Sequence, residues 1–262
     1  MTGWTEDPKL FRERVRKGQW RGSTAGMCPG YVQANLVIVP RELAFDFTVF
    51  CLRNPQPCPI LEVLDPGDPV PHEVAPGADI RTDLPMYRIF KDGTLVEERE
   101  DIREYWCDDL VGYLIGCSYT FEEALVRGGV PLRNFSQRKD PGIYISNIPC
   151  RPAGPFSGPM VVSMRPIPAS LVPKAVQITA RFPKAHGAPV HVGEGSSIGI
   201  PDLRRVDFGE VPDIREGEIP VFWACGVTPQ VIALRARIPF MITHKPGHMF
   251  ITDLRIEDIA SW

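Results

Sequence analysis

Apolar and polar positions alternate along this chain in short blocks, and the blocks predict many brief elements. Asp7-Pro8 reads as a helix start, and Leu10, Phe11 and Val15 form one apolar stripe on a strongly basic helix that Gly18 ends. Leu36 to Val39 is an unbroken apolar run. Pro40 opens a second helix with Leu43, Phe47 and Phe50 at helical spacing, which Asn54-Pro55 stops. Ile60 to Leu64 reads as a strand. The Pro/Gly-rich segment from Asp65 to Ala78 reads as loop, and Tyr87 to Phe90 and Thr94 to Glu97 form a hairpin turned by Lys91-Asp92-Gly93. Trp106, Leu110, Val111 and Leu114 then recur as one face of an amphipathic helix from Glu104 to Ile115. A second helix follows Ser118, with Thr120 and Glu123 in capping-box spacing, and the two are expected to pack as a pair. Further on come a strand from Met160 to Met164 with Arg165 at its end, a helix from Lys174 to Phe182, and strands meeting at the Pro246-Gly247 turn, with His244 closing one and His248 opening the next.

The stretch PVFWACGVTPQ, Pro220 to Gln230, joins a buried strand to a helix through Gly226. Thr228 is the expected N-cap and Pro229 suits the first helical turn. Cys225 thus stands at a helix start, where N–H groups and the macrodipole favour an anion: a substrate carboxylate held by Thr228 and Gln230, or a thiolate with pKa below its usual ~8.5. An inert thiol filling a packed corner is the alternative.

Composition narrows the function classes. With 262 residues, 44% hydrophobic and 23% charged, the chain can bury a large core. Its 28 prolines, about twice the usual ~5%, favour short elements and functional loops over a helical bundle. A net charge of −3 without basic clusters argues against nucleic acid and membrane surfaces as partners. The N-terminus lacks a signal-peptide core and no run of about 18 apolar residues exists, so a cytosolic location is expected. Seven cysteines without a C-x-x-C pair read as reduced, buried thiols. The chain is expected to be one continuous unit over 1–262, with a smaller subdomain within about 65–142, and a homodimer is compatible with it.

Chemistry-bearing residues concentrate in Gly/Pro-rich turns. Arg21 to Leu36, RGSTAGMCPGYVQANL, could cradle an anion with backbone N–H groups, though it lacks both the P-loop and the dinucleotide pattern. Arg81 lies between Asp79 and Asp83, where a carboxylate clamp and a structural ion pair are both open readings. Four of the five histidines, His186, His191, His244 and His248, fall in two turns of the C-terminal half. A zinc site from them is disfavoured, because Pro246-Gly247 prevents the helix that H-x3-H ligation needs.

These segments together resemble the D-glutamate cyclase family, whose bacterial members are named hydro-lyases. The similarity runs from about Gly18 to Asp253 through seven ordered motifs: RGSTAGMCPGYVQANL, DIRTDLP, SNIPCRPAGPFSGPMVVSMRP, QITARFP with HGAPVHVG, IGIPDL, PVFWACGVTPQ, and THKPGHM with the later TD. Cys28 stands where the family usually has Ala, Ser146 where it has Thr, and Glu194 where it has Asp. The resemblance implies an α/β fold of two domains with mixed sheets flanked by helices. It also implies dehydration of D-glutamate to 5-oxo-D-proline, chemistry that requires no cofactor and no metal. An acidic amino acid is then the small-molecule partner. Arg165 or Arg81 would clamp a carboxylate, and His191, His186 or His248 would shuttle protons. Asn147 would donate to an oxyanion, and Cys225 would serve as base or nucleophile. A Cys-dependent racemase or amidohydrolase, and a non-catalytic subunit of a 5-oxoproline-metabolising complex, are the rival readings.

Overall fold

A computed structural model describes residues 7–261; the first six residues of the N-terminal segment read above for a leader lie outside them. The elements in chain order are α1 (Pro8–Arg16), β1 (Tyr31–Pro40), α2 (Arg41–Arg53), β2 (Ile60–Val63), β3 (Tyr87–Lys91), β4 (Thr94–Arg99) and β5 (Leu110–Gly116). Then follow α3 (Tyr119–Arg127), α4 (Arg133–Gln137), β6 (Gly142–Pro149), β7 (Pro159–Pro168), α5 (Val172–Ala180), β8 (His191–Val192), β9 (Glu218–Ala224), α6 (Thr228–Ala236), β10 (Phe240–His244) and β11 (Phe250–Arg255).

The strand β1 is the axis of the larger sheet, whose order is β2-β5-β1-β10-β3-β4 with β11 also paired to β1. Val32 to Val39 are all buried because both faces of β1 are covered, which is why its sequence reads as a continuous apolar run rather than an alternation. Val37 and Val39 face a core shared with Val162 and Met164 of β7 and Phe222 and Ala224 of β9. Ala34, Leu36 and Ile38 face the opposite way, onto Leu64, Val74, Ala78 and Ile80 from the long loop after β2. The smaller sheet runs β6-β7-β9-β8. This is the expected α/β architecture of two sheets with flanking helices, but its ladders are antiparallel where the resemblance implied mixed sheets.

Several local expectations give way to packing. Glu104 to Ile115 is not a helix: Arg103–Tyr105 is one 3-10 turn, and Leu110–Gly116 is β5, buried along its whole length between β1 and β2. Seven successive buried positions fit a strand covered on both faces, and the helical spacing of Leu110, Val111 and Leu114 was coincidental. Gly116 shows how tightly β5 is covered, since a Cβ there would lie 1.7 Å from the Lys184 carbonyl oxygen. With no first helix there is no helix pair. Thr120 and Glu123 do not cap α3; they accept hydrogen bonds from the backbone N–H groups of Gln33 and Gly30 and tie the helix to β1. Arg165 lies inside β7 rather than at its end. Thr228 does not cap α6: Val227 occupies the cap position, and the Thr228 hydroxyl accepts from Val161 N–H at 3.0 Å and donates to the Cys225 carbonyl at 2.7 Å.

Candidate functional site

The head of α3 gathers most of the buried polar chemistry. Along β7, Val162 and Met164 point into the inter-sheet core, so Ser163, Arg165 and Ile167 point the other way, toward α3. Arg165 is fully buried. Its guanidinium donates to Glu122 from Nε at 2.7 Å, to Ser163 Oγ at 2.9 Å and to Ser118 Oγ at 2.9 Å, with a second contact to Glu122 at 2.6 Å. The rings of Phe121 and Trp223 lie 5.3 and 5.6 Å from it. Burial raises the Glu122 pKa, opposed by Arg165 and by the Asn134 amide, which donates to the same carboxylate. A buried ion pair so fully hydrogen-bonded is expensive to break and adds rigidity to the wall it forms.

One residue from Ser118, Tyr119 turns to a second carboxylate. Asp140 Oδ1 accepts from Tyr119 Oη at 2.5 Å and from Ser23 Oγ at 2.8 Å. Burial and the neighbouring Asp140 charge push the Tyr119 pKa up, so it stays a phenol. Two loops close around this group. Thr24 holds the Gly247 carbonyl through its backbone N–H at 2.8 Å and its hydroxyl at 3.2 Å, and Met249 N–H donates to the Thr24 hydroxyl. Gly247 has φ +82°, and a Cβ there would fall 2.3 Å from Asp140 Oδ2, so only glycine fits. The next residue, His248, is half-buried with Nδ1 3.0 Å from the Pro246 carbonyl; burial lowers its pKa, opposed first by that carbonyl and less by Asp140, and leaves a neutral imidazole at pH 7. Ser23, Tyr119, Asp140 and His248 thus form a partly exposed cluster of proton donors and acceptors beside the buried Arg165–Glu122 pair.

A small cleft of about 90 Å³ touches both halves, lined by Asn134, which bonds Glu122, and by Asp140, Pro141 and Met164 among others. The roomier groove of about 370 Å³ between α3 and α5, lined by Ala124, Ile178, Phe182 and Ala260, gathers no acid–base cluster. Among the described residues, no group of three or more His, Cys, Asp or Glu side chains is placed to hold a metal ion, and no helix is long and apolar enough to cross a membrane.

The sequence profile of the D-glutamate cyclase family matches residues 111–253, a span that runs through α3, β7, Asp140 and the Gly247 turn. This chain belongs to the D-glutamate cyclase family. Among its relatives, a Stutzerimonas stutzeri protein named "Putative hydro-lyase" is 59% identical over 253 residues, 97% of this chain and 96% of that one. A Rubrobacter xylanophilus protein of the same name is 58% identical over 244 residues, 93% of this chain and 94% of its own. A crystal structure of a nitrogen repressor-like protein from Methanococcus jannaschii covers 98% of both chains at TM-score 0.42 and 12% identity, a likeness too distant to speak about activity.

Within this family member, the residues singled out from sequence are scattered over several environments. His248 lies in the Asp140 cluster and Arg165 in the layer behind it. Cys225 packs with Ile143, Val161, Val227 and Val231. Its pKa is pushed up to about 11 by burial, against the smaller pull of the Val227 N–H and of Arg165, so the expected lowering by the helix start is reversed. Gln230 is buried, donating to the His244 carbonyl at 2.9 Å and receiving Arg88; like Thr228, it serves the packing of the α6 corner. His186 sits behind β5, its Nδ1 2.6 Å from the Gln56 carbonyl and its pKa lowered to about 4 by burial. His191 pairs with the Glu194 carbonyl and leans on Phe222, and Asn147 is exposed against Gly199. Arg81 takes its structural reading, bonded to Asp79 and set over Trp106.

Ser23, Ser118, Tyr119, Glu122, Asp140 and Ser163 escaped sequence reasoning. Asp140-Pro141-Gly142 looks like an ordinary turn. Glu122 did leave a trace, an acid between Phe121 and Leu125 on the buried stripe of α3.

Proposed function

We propose that this protein is a hydro-lyase that cyclises D-glutamate to 5-oxo-D-proline with loss of water. Family membership supports the lyase class, and the observation that carries the chemistry is Asp140 receiving two hydroxyl donors on Oδ1 while Oδ2 faces a glycine beside a neutral imidazole. Lactam formation needs the ammonium to lose a proton so that its nitrogen can attack the γ-carboxyl carbon. A C–N bond forms, then a C–O bond breaks and the oxygen leaves as water. Because both reacting groups belong to one molecule, holding the substrate in its folded rotamer supplies much of the rate. Asp140 takes the ammonium proton through Oδ2. Tyr119 and Ser23 fix the carboxylate. The nitrogen sheds a second proton once the C–N bond forms, and His248, neutral at the outset, takes up these two protons in turn and passes them to the departing oxygen, which leaves as water. The Arg165–Glu122 pair is internally neutral and forms the rigid wall behind α3. It leaves no free guanidinium face for substrate, which removes Arg165 from the clamp role. A thiol with pKa near 11 is protonated at neutral pH, which weighs against a Cys225-based racemase or amidohydrolase.

The test is incubation of purified protein with D- and L-glutamate, related acidic amino acids and their lactams, following both directions by chiral chromatography. Of the two glutamate enantiomers, D-glutamate alone should give lactam, and Asp140→Asn should lower kcat by about 10²- to 10⁴-fold while the fold persists. Turnover of no amino acid in the panel, or full activity in Asp140→Asn, defeats the proposal.

A further inference from the structure

Resting on that reading of the site, we infer that Arg138 is the cation that holds the substrate's unreactive α-carboxylate. The two arginines that sequence favoured are already committed to carboxylates of the protein, Arg165 to Glu122 and Arg81 to Asp79. The other cations of the Arg133–Lys139 segment are committed too: Arg133 pairs with Glu218 and Asp213, and Lys139 with Glu210. Arg138 is exposed and makes no ion pair or side-chain hydrogen bond among the described residues.

Its backbone is fixed from both sides. Arg138 ends α4 in the left-handed conformation, φ 54°, which non-glycine residues seldom adopt, and its own N–H and that of Lys139 bond back to Phe135 and Asn134. Two residues on, Asp140 is anchored to Ser23 and Tyr119. The aliphatic stem of Arg138 lies over Gly26 in the Ser23–Gly30 loop, with Cγ 3.7 Å from where a Gly26 Cβ would be. That same loop contains a second non-glycine residue at positive φ, Cys28 at 45°. Backbone held in sparsely populated conformations on two loops that meet beside a proton-transfer cluster is a pattern of functional sites. The consequence is an exposed guanidinium, two residues before Asp140 in the chain and carried on a stem that crosses the Ser23–Gly30 loop, with its donors unspent, and a planar fork of donors matches a carboxylate.

The experiment compares wild type with Arg138→Asn, which tolerates the left-handed backbone, and Arg138→Lys, using D-glutamate and 4-aminobutyrate. 4-Aminobutyrate keeps the amine and the reacting carboxyl but lacks the α-carboxylate, so both compounds can close to a lactam. Arg138→Asn should raise KM for D-glutamate at least 10-fold with kcat within about 3-fold, and should collapse the wild type's preference for D-glutamate over 4-aminobutyrate by a similar factor. Arg138→Lys should recover part of both. An unchanged KM and an unchanged preference in a folded Arg138→Asn overturn the inference while leaving the cyclase reading intact. Should wild type turn over neither compound, calorimetric binding of glutarate decides: loss of binding in Arg138→Asn supports a dicarboxylate clamp, and equal binding, or none to wild type, overturns it.

Discussion

Replacing Arg165 by methionine should be among the most damaging single changes in the protein, and its cost should depend on pH in a defined direction. The substitution removes both contacts to Glu122 and the donors to Ser163 and Ser118, leaving a fully buried carboxylate with only the Asn134 amide at 2.8 Å. Breaking one side of a buried pair costs about 3–5 kcal/mol, a large share of the ~5–15 kcal/mol that holds a typical fold together. The variant can relieve part of that cost by protonating Glu122, whose pKa is already raised by burial and rises further without its counter-ion. A carboxyl with a folded pKa above its unfolded value of ~4.3 contributes stability below that unfolded value and loses it as pH climbs through the folded one. The stability gap between Arg165→Met and wild type should therefore narrow as pH is lowered from 7.5 to 5. Urea unfolding at each pH, followed by circular dichroism and tryptophan fluorescence, gives both stabilities. The double variant Arg165→Met/Glu122→Leu should be more stable than the sum of its single costs implies by roughly 2 kcal/mol or more, since it leaves no orphaned charge. Additivity within about 0.5 kcal/mol, or a gap that does not move with pH, would refute the reasoning.

Three further outcomes can be checked. His186 and His244 are buried with pKa values lowered to about 4 and about 3, so the unfolded chain binds protons that the fold refuses; stability should be full above about pH 6.5 and fall as pH drops toward 4, by roughly 3 kcal/mol for His186 alone. His186→Gln should flatten that slope in urea titrations, and a slope identical to wild type would discount the burial argument. Cys225→Ala should retain most activity, and iodoacetamide should label Cys225 at pH 7 only on unfolding; prompt labelling of the native protein would contradict a thiol near pKa 11. Gly226→Ala would place a Cβ 2.0 Å from Asn35 Nδ2, so it should cost about 1–3 kcal/mol, and a melting temperature equal to wild type's would show that the corner has slack.

Local rules carried the reading where local chemistry decides the backbone. Asp7-Pro8 does start α1, with the Asp7 carboxylate accepting from the N–H groups of Lys9 and Leu10. Asn54 does end α2, Lys91-Asp92-Gly93 does turn β3 into β4, and Gly226 does turn β9 toward α6. Those signals sit within a few residues of what they determine. The ordered motifs reached further and identified the family, because a succession of seven segments constrains a chain far more than any one of them does. Burial and partnership were settled elsewhere. Leu110 to Gly116 became a strand because β1 and β2 flank it, and no periodicity within the segment reports its neighbours. Thr120 and Glu123 looked like a cap and became ties to β1. Cys225 was read from the helix start beside it, yet the apolar side chains of Ile143, Val161 and Val231 set its protonation. Asp140 was invisible for the same reason: Ser23 lies 117 positions away in the chain, and a carboxylate becomes a site only when folding brings distant hydroxyls to it. Sequence determined the elements and their turns; tertiary structure decided which charges were already spent on each other, because desolvation and pairing depend on what surrounds a group rather than on what precedes it.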